Sequence, residues 1–309
     1  MSILAGESFI SCARTGERYK HEFLSGRRIR AVISDLDGTL LNSGKEVSKR
    51  TLEVIQKART QGVMFIPASG RNWNGIFNVL GELGVELRQN GTPVVCMNGL
   101  AVYGPGEGDH GGIIHERVLG ADLASRVVDF WRSHPLAAAA GVSLVGSCGR
   151  EVVCEKLDER TERYPDLKEP LPVEVGPLDV AVQEGMKLNR LFFWGSSREE
   201  VDAFRSDLAA FLDGYPSELT RGIPEMLEVL PPGSSKGTGV EALLLHLGIS
   251  PEEVVALGDE ENDLDMLRMV GYGVCMGQAS TLVREASRFV APTNDMDGVA
   301  VAIETFCGL

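Results

Sequence analysis

The chain has 309 residues, 43% hydrophobic and 24% charged, enough apolar mass for packed cores and enough length for two domains. Its formal net charge of -14 excludes a general nucleic-acid or anionic-membrane binder, because both need a positive footprint. An anionic ligand must therefore find a site that is positive only locally.

Residues 1–28 carry Arg14, Arg18, Lys20, Arg27 and Arg28 among serines, in faint likeness to an organelle transit segment. Glu7, Glu17 and Glu22 count against that, so a frayed or surface-draped extension is expected. Met1 to Leu4 is too short for a signal-peptide core, and no run approaches a membrane span. Next comes a short apolar strand at 31–33 that runs into Asp35 and Asp37 and breaks at Gly38 and Thr39. Strand alternation points the two carboxylates to one side, where both ionised would repel unless a hard cation or a shared proton relieved them. Asp-Gly after an apolar run is equally a turn signal, so the stretch takes its meaning from the motifs further along the chain.

Residues 47–61 place Leu52, Ile55 and Ala58 at helical spacing before Gly62, and 63–68 form a continuous apolar run, as in a strand covered on both faces. A helix over 73–83, stopped by Gly84, and a strand over 93–97 repeat the pattern. Strand, helix, strand in this order predicts parallel βαβ units. From about Ala101 the pattern changes, with a Gly-rich break at 104–112 and then clustered strands at 113–118, 142–145, 151–154, 189–194 and 226–230. Helices at 123–132 and 198–212 lie among them, 158–177 reads as irregular, and Phe130, Trp131, Phe192, Phe193 and Trp194 read as core.

After Pro231 the alternation resumes, with helices at 238–247, 262–269, 281–286 and 299–306 and strands at 254–257, 273–276 and 289–291. The expected organisation is an extension at 1–28, a doubly wound α/β core at 29–100 and 231–309, and an inserted α+β domain at 101–230.

Three further stretches fall at strand ends of that core. Ser69-Gly70-Arg71 offers a hydroxyl and helix-start amides to an anion. Ser235-Lys236-Gly237 opens a helix with a cation at its positive end. The run from Gly258 to Asp263 delivers Asp259 from a buried strand tip and Asn262 and Asp263 one turn later. Helix-start acids are favourable through the dipole, which accounts for Glu260, Glu261 and Asp263 but not for Asp259.

In this order the four stretches resemble the four motifs of the haloacid dehalogenase-like superfamily. The long insert, Asn98-Gly99 before it, Leu227 to Val229 after it and 273–277 resemble its Cof-type sugar-phosphatase subfamily, over about 29–306. The resemblance implies a mostly parallel Rossmann-like core with a large α/β cap that closes over the active site. It implies that Asp35 attacks phosphorus, that Asp37 serves as general acid and then base, and that Mg2+ is held by the Asp35 carboxylate, the Asp37 backbone carbonyl and Asp259. Asp263 would orient that shell, and Lys236, Ser69, Asn262 and the Leu36 and Gly70 amides would surround the phosphoryl group. Arg71 would reach the substrate or brace its loop. Ser34, where the family more often has a bulky apolar residue, and Ser69, where threonine is frequent, both keep the needed chemistry.

The function so implied is a Mg2+-dependent hydrolase of small phosphate monoesters, sugar phosphates or phosphorylated cofactors. A phosphotransferase of the phosphomannomutase type and a non-catalytic phosphate-binding protein stand as alternatives. A true dehalogenase would have no use for Asp37 or a metal. The expected partner is a small phosphorylated metabolite, without nucleic acid or membrane, for a monomer or homodimer. The six cysteines show no C-x-x-C spacing, and none of the five histidines forms a zinc pattern. A reducing, cytoplasmic compartment is expected, with organelle targeting by the extension left open.

Overall fold

The computed structural model describes residues 9–19, 28–106, 111–139 and 141–309. Glu7, Lys20, Glu22 and Arg27 of the extension and the tip of the 104–112 loop lie outside them. By packing, the chain divides into one unit of 1–69, 79–115 and 235–309 and a second of 70–78 and 116–234.

The first unit is built on a seven-stranded sheet. Its order is Arg18–Tyr19, Ile10–Cys12, Phe289–Val290, Tyr272–Cys275, Val254–Gly258, Ala31–Ser34 and Met64–Pro67. The last five strands pair in parallel and the first two antiparallel. Ala31, Ile33, Ile66, Val254 and Ala256 join one core with Val240, Leu243, Leu244, Met266 and Val283, which come from helices Lys236–Leu247, Leu264–Met269 and Thr281–Ala286. The alternate residues Val32, Phe65, Val255 and Leu257 are also at most 2% exposed, so the other face is covered too. That two-sided burial is why these strands read as continuous apolar runs. Helices Lys49–Thr60 and Gly298–Cys307 pack on each other and touch strands Met64–Pro67 and Val254–Gly258 respectively.

Among the described residues of the extension, the expectation of a frayed or surface-draped segment is corrected over Ile10–Cys12. Ile10–Cys12 pairs with Phe289–Val290, and the Ile10 side chain is fully buried. An apolar residue and a row of backbone donors are better placed against an open sheet edge than in water. The helix expected over 73–83 is two, Trp73–Val79 and Gly81–Gln89, divided at Gly81, whose φ of 55° lies in the left-handed region. Gly84 is buried within the second helix and does not end it. The chain at Ala101 does not leave the core: Ala101–Tyr103 pairs antiparallel with Val94–Cys96, and the first unit runs on to 115.

The second unit carries a six-stranded sheet in the order Val173–Glu174, Glu151–Cys154, Val142–Cys148, Arg190–Gly195, Met226–Leu230 and Glu218–Thr220. All its pairings are antiparallel except that of Val173–Glu174 with Glu151–Cys154. Leu144, Leu191, Phe193, Leu227 and Val229 face a core with Val127, Val128, Phe204 and Leu208 of helices Ala121–Ser133 and Arg198–Leu212. Phe192 alternates to the other side, with Val145, Met226 and Tyr164, and Trp194 packs against that cluster. Phe130 and Trp131 pack half-buried against the larger core. No described helix is long and apolar enough to cross a membrane.

Candidate active site

The acidic stretches meet at the carboxyl ends of adjacent parallel strands, where open α/β sheets place ligands. Ala31–Ser34 delivers Asp35, and its neighbour Val254–Gly258 delivers Asp259; the Asp35 amide donates to the Leu257 carbonyl at 2.9 Å, which locks the two strand tips together. Carboxylate oxygens of Asp35, Asp259 and Asp263 lie within 4.8 Å of one another, and all three residues are buried.

Lys236 closes the cluster. Ser235 caps the helix start through a reciprocal box with Thr238, which sets Lys236 in the first turn. Its Nζ donates to Asp35 Oδ1 at 2.5 Å and to Asp263 Oδ1 at 2.8 Å. The other Asp263 oxygen accepts from the Asp259 and Glu260 amides at 2.9 and 3.1 Å. Both Asp263 oxygens are thus engaged, so Asp263 braces Lys236 and the strand tip.

Burial raises the Asp35 carboxyl above its ordinary range, against the pull of Lys236, and the charge of Asp263 adds to the rise. Asp259 is pushed up to about 6, chiefly by burial, with the hydrogen bond from Thr39 opposing. Burial disfavours the Lys236 ammonium, but Asp35 and Asp263 more than offset it and hold it charged. Two desolvated carboxylates with raised pKa values beside one ammonium are hard oxygen donors short of positive charge, which suits a small divalent cation. Gly38 keeps room beside them, since a Cβ there would stand 2.3 Å from Asp259 Oδ2. Thr39 Oγ1 donates to Asp259 Oδ1 at 2.7 Å and aims that carboxylate.

The remaining residues singled out in the sequence are divided between the two units. The Asp37 carboxylate is half-buried, apart from the acidic cluster, and pairs with Lys45 Nζ at 2.9 Å. The Leu36 side chain is fully buried, and its carbonyl accepts from the Thr39 and Leu41 amides. Ser69 is 2% exposed, with its amide on the Val95 carbonyl. Asn262 is exposed and donates to Asn98 Oδ1 at 3.1 Å. Gly70 and Arg71 belong to the second unit, where the Arg71 guanidinium donates to the Leu167 carbonyl at 2.7 Å and faces Glu169 at 3.6 Å.

Sequence reasoning assigns no role to Thr39, Lys45 or Asn98. Met97 and Asn98 both take left-handed φ values, 52° and 53°, and the Asn98 amide donates to the Ser69 carbonyl at 3.0 Å. Asn98 thereby joins Ser69 to Asn262. The signal for it was local: Asn followed by Gly is the dipeptide that tolerates this backbone.

A profile of the haloacid dehalogenase-like hydrolases matches residues 32–303. The chain is 27% identical over 286 residues to 5-amino-6-(5-phospho-D-ribitylamino)uracil phosphatase YitU of Bacillus subtilis, covering 90% of this chain and 97% of that protein. It is 28% identical over 278 residues to the chloroplastic endoribonuclease YBEY of Arabidopsis thaliana; the match takes in 88% of this chain but only 45% of that relative's length. Among solved structures, a haloacid dehalogenase-like hydrolase from Bacteroides thetaiotaomicron superposes with a TM-score of 0.75 at 28% identity, covering 90% of this chain and 99% of that one.

Proposed function

The chain belongs to the haloacid dehalogenase-like hydrolases, and from that membership we propose that it hydrolyses small phosphate monoesters, sugar phosphates or a phosphorylated cofactor, by way of an aspartyl-phosphate on Asp35. The observation that carries this reading is the convergence of Asp35, Asp259, Asp263 and Lys236 at adjacent strand tips.

Asp35 is the nucleophile. Its carboxylate attacks phosphorus, the ester oxygen leaves, and Asp37 hands that oxygen a proton. Asp37 then takes a proton from water, which attacks the aspartyl-phosphate and releases inorganic phosphate. The Asp37–Lys45 pair is exposed enough to be weak, about 0–1 kcal/mol, so it does not withhold the carboxylate from this work. Lys236 pulls against the burial that favours the protonated Asp35 carboxyl and supplies positive charge for the phosphoryl oxygens, with Ser69, the Leu36 and Gly70 amides and Asn262 as further donors. Arg71, already engaged by Leu167 and Glu169, is read as a brace rather than a substrate contact.

Mg2+ would be held by the Asp35 carboxylate, the Asp37 backbone carbonyl and Asp259, with Asp263 behind them. When bound it would neutralise negative charge as phosphoryl transfer proceeds. The YitU relative is named for 5-amino-6-(5-phospho-D-ribitylamino)uracil, a small phosphate ester, which favours a substrate of that size. The compartment we infer is reducing, the cytoplasm or an organelle reached through the extension.

Phosphate release from an aryl phosphate, with and without Mg2+, tests this reading. Asp35→Asn should lower turnover by about a thousandfold or more. Wild-type activity in that variant would exclude Asp35 as nucleophile.

A further inference from the structure

The run Gly273 to Gly277, singled out in the sequence, has no part in the acidic cluster; it leads into Gln278. Gln278 Nε2 donates to the Gly38 carbonyl at 2.5 Å, and Gln278 Oε1 accepts from the Asn294 amide at 3.3 Å. Asn294 Nδ2 donates to the Leu41 carbonyl at 2.9 Å. Two side-chain amides, linked through the backbone N–H of Asn294, therefore hold both ends of the turn after Asp37. Gly277 makes the reach possible. Its amide donates to the Pro292 carbonyl at 3.2 Å, and a Cβ there would stand 2.9 Å from the Thr293 amide nitrogen. Arg284 ties the same loop down through the Gly277 carbonyl.

The turn has reason to need such a hold. Its internal bonds run from the Thr39 and Leu41 amides to the Leu36 carbonyl and from the Leu40 amide to the Asp35 carbonyl. None of these uses the carbonyl of Gly38, and Leu41 meets Asp37 again in an isolated parallel bridge. Gly38 has a φ of 85°, a conformation comfortable only for glycine, and sits against Asp259.

We propose that Gln278 and Asn294 are positioning residues for phosphoryl transfer: by holding the Gly38 and Leu41 carbonyls they fix the turn that follows Asp35 and carries Asp37. The catalytic consequence rests on the function proposed above; the hold itself belongs to the metal-free chain. Neither side chain touches a reacting atom, so their loss is felt in kcat and not in KM.

Hydrogen exchange of the metal-free protein, followed by mass spectrometry, tests the hold directly in Gln278→Met and Asn294→Ala. Methionine keeps the length and shape of Gln278 and removes only its polar atoms, and the exposed position makes misfolding a minor hazard. Exchange in the 36–41 segment should quicken by about tenfold, the effect of one lost hydrogen bond, while the rest of the core strands hold their rates. In the same variants kcat on an aryl phosphate with Mg2+ should fall about tenfold to a hundredfold, with KM within about twofold. Unchanged exchange at 36–41 overturns the proposal, as does quickening spread evenly over the unit or a kcat equal to wild type. A wild-type protein that releases no phosphate would refute the proposed function, while the exchange result would still decide the hold.

Discussion

With 1% of its surface exposed, the Lys236 side chain lies between two buried carboxylates, and removing it would leave both without their cation. Lys236→Met should therefore cost about 3–5 kcal/mol of stability in the metal-free protein, read by urea unfolding at neutral pH. The sign with pH is set by Asp35. Burial raises its folded-state pKa, so its contribution is whole below the unfolded value of 3.8 and is lost as pH rises through the folded one. The penalty in the variant should be larger at about pH 8 than at about pH 5, where protons replace the missing ammonium; a pH-independent penalty would contradict this account. At this scale the sequence marked the charged groups and passed over the neutral ones that aim them. Asp35, Lys236 and Asp259 stand out because charge at a strand tip or helix start needs a reason. Thr39, Asn98 and Gln278 are ordinary turn residues until their partners, far off in sequence, are known.

The segment read as irregular at 158–177 contains a 3-10 helix, Thr161–Leu167, set by a side chain rather than by apolar spacing. Asp158 accepts from the Thr161 amide at 2.9 Å, the Arg160 amide at 3.0 Å and Ser143 Oγ at 2.6 Å. Burial works to raise its pKa, but the hydrogen bonds from Ser143, Thr161 and Arg160 outweigh it and hold the carboxyl below its ordinary value of 3.8. That contribution is complete above 3.8 and disappears as pH falls through the lower folded value. Asp158→Asn should cost about 1 kcal/mol, a modest figure because the residue is exposed, and the gap to wild type should close as acid is added. A gap that widened on acidification would refute it. Long elements such as Arg198–Leu212 were legible from their apolar stripe. Short strands such as Glu218–Thr220 were not, because three residues carry no period and pair only when a partner strand is already in place.

Within the first unit, Ile10–Cys12 lies between Phe289–Val290 and the edge strand Arg18–Tyr19, which makes these residues part of the sheet. Ile10→Ala should destabilise the protein by about 2–5 kcal/mol in chemical denaturation, a cost a surface-draped extension would not show. A change within about 0.5 kcal/mol would return the segment to that simpler description. The sequence by itself determined the α/β alternation, its interruption by an α+β insert, and the arrival of Asp35 and Asp259 at strand ends. These are local properties of apolar runs and their terminators, readable within a few turns of chain. Only the tertiary structure decided which strand tips are neighbours, and with that the bonds from Lys236 to Asp35, Thr39 to Asp259 and Gln278 to Gly38, across 201, 220 and 240 residues of chain. Strand order is chosen by crossovers and by the burial of both sheet faces together, and no periodicity along one strand records it.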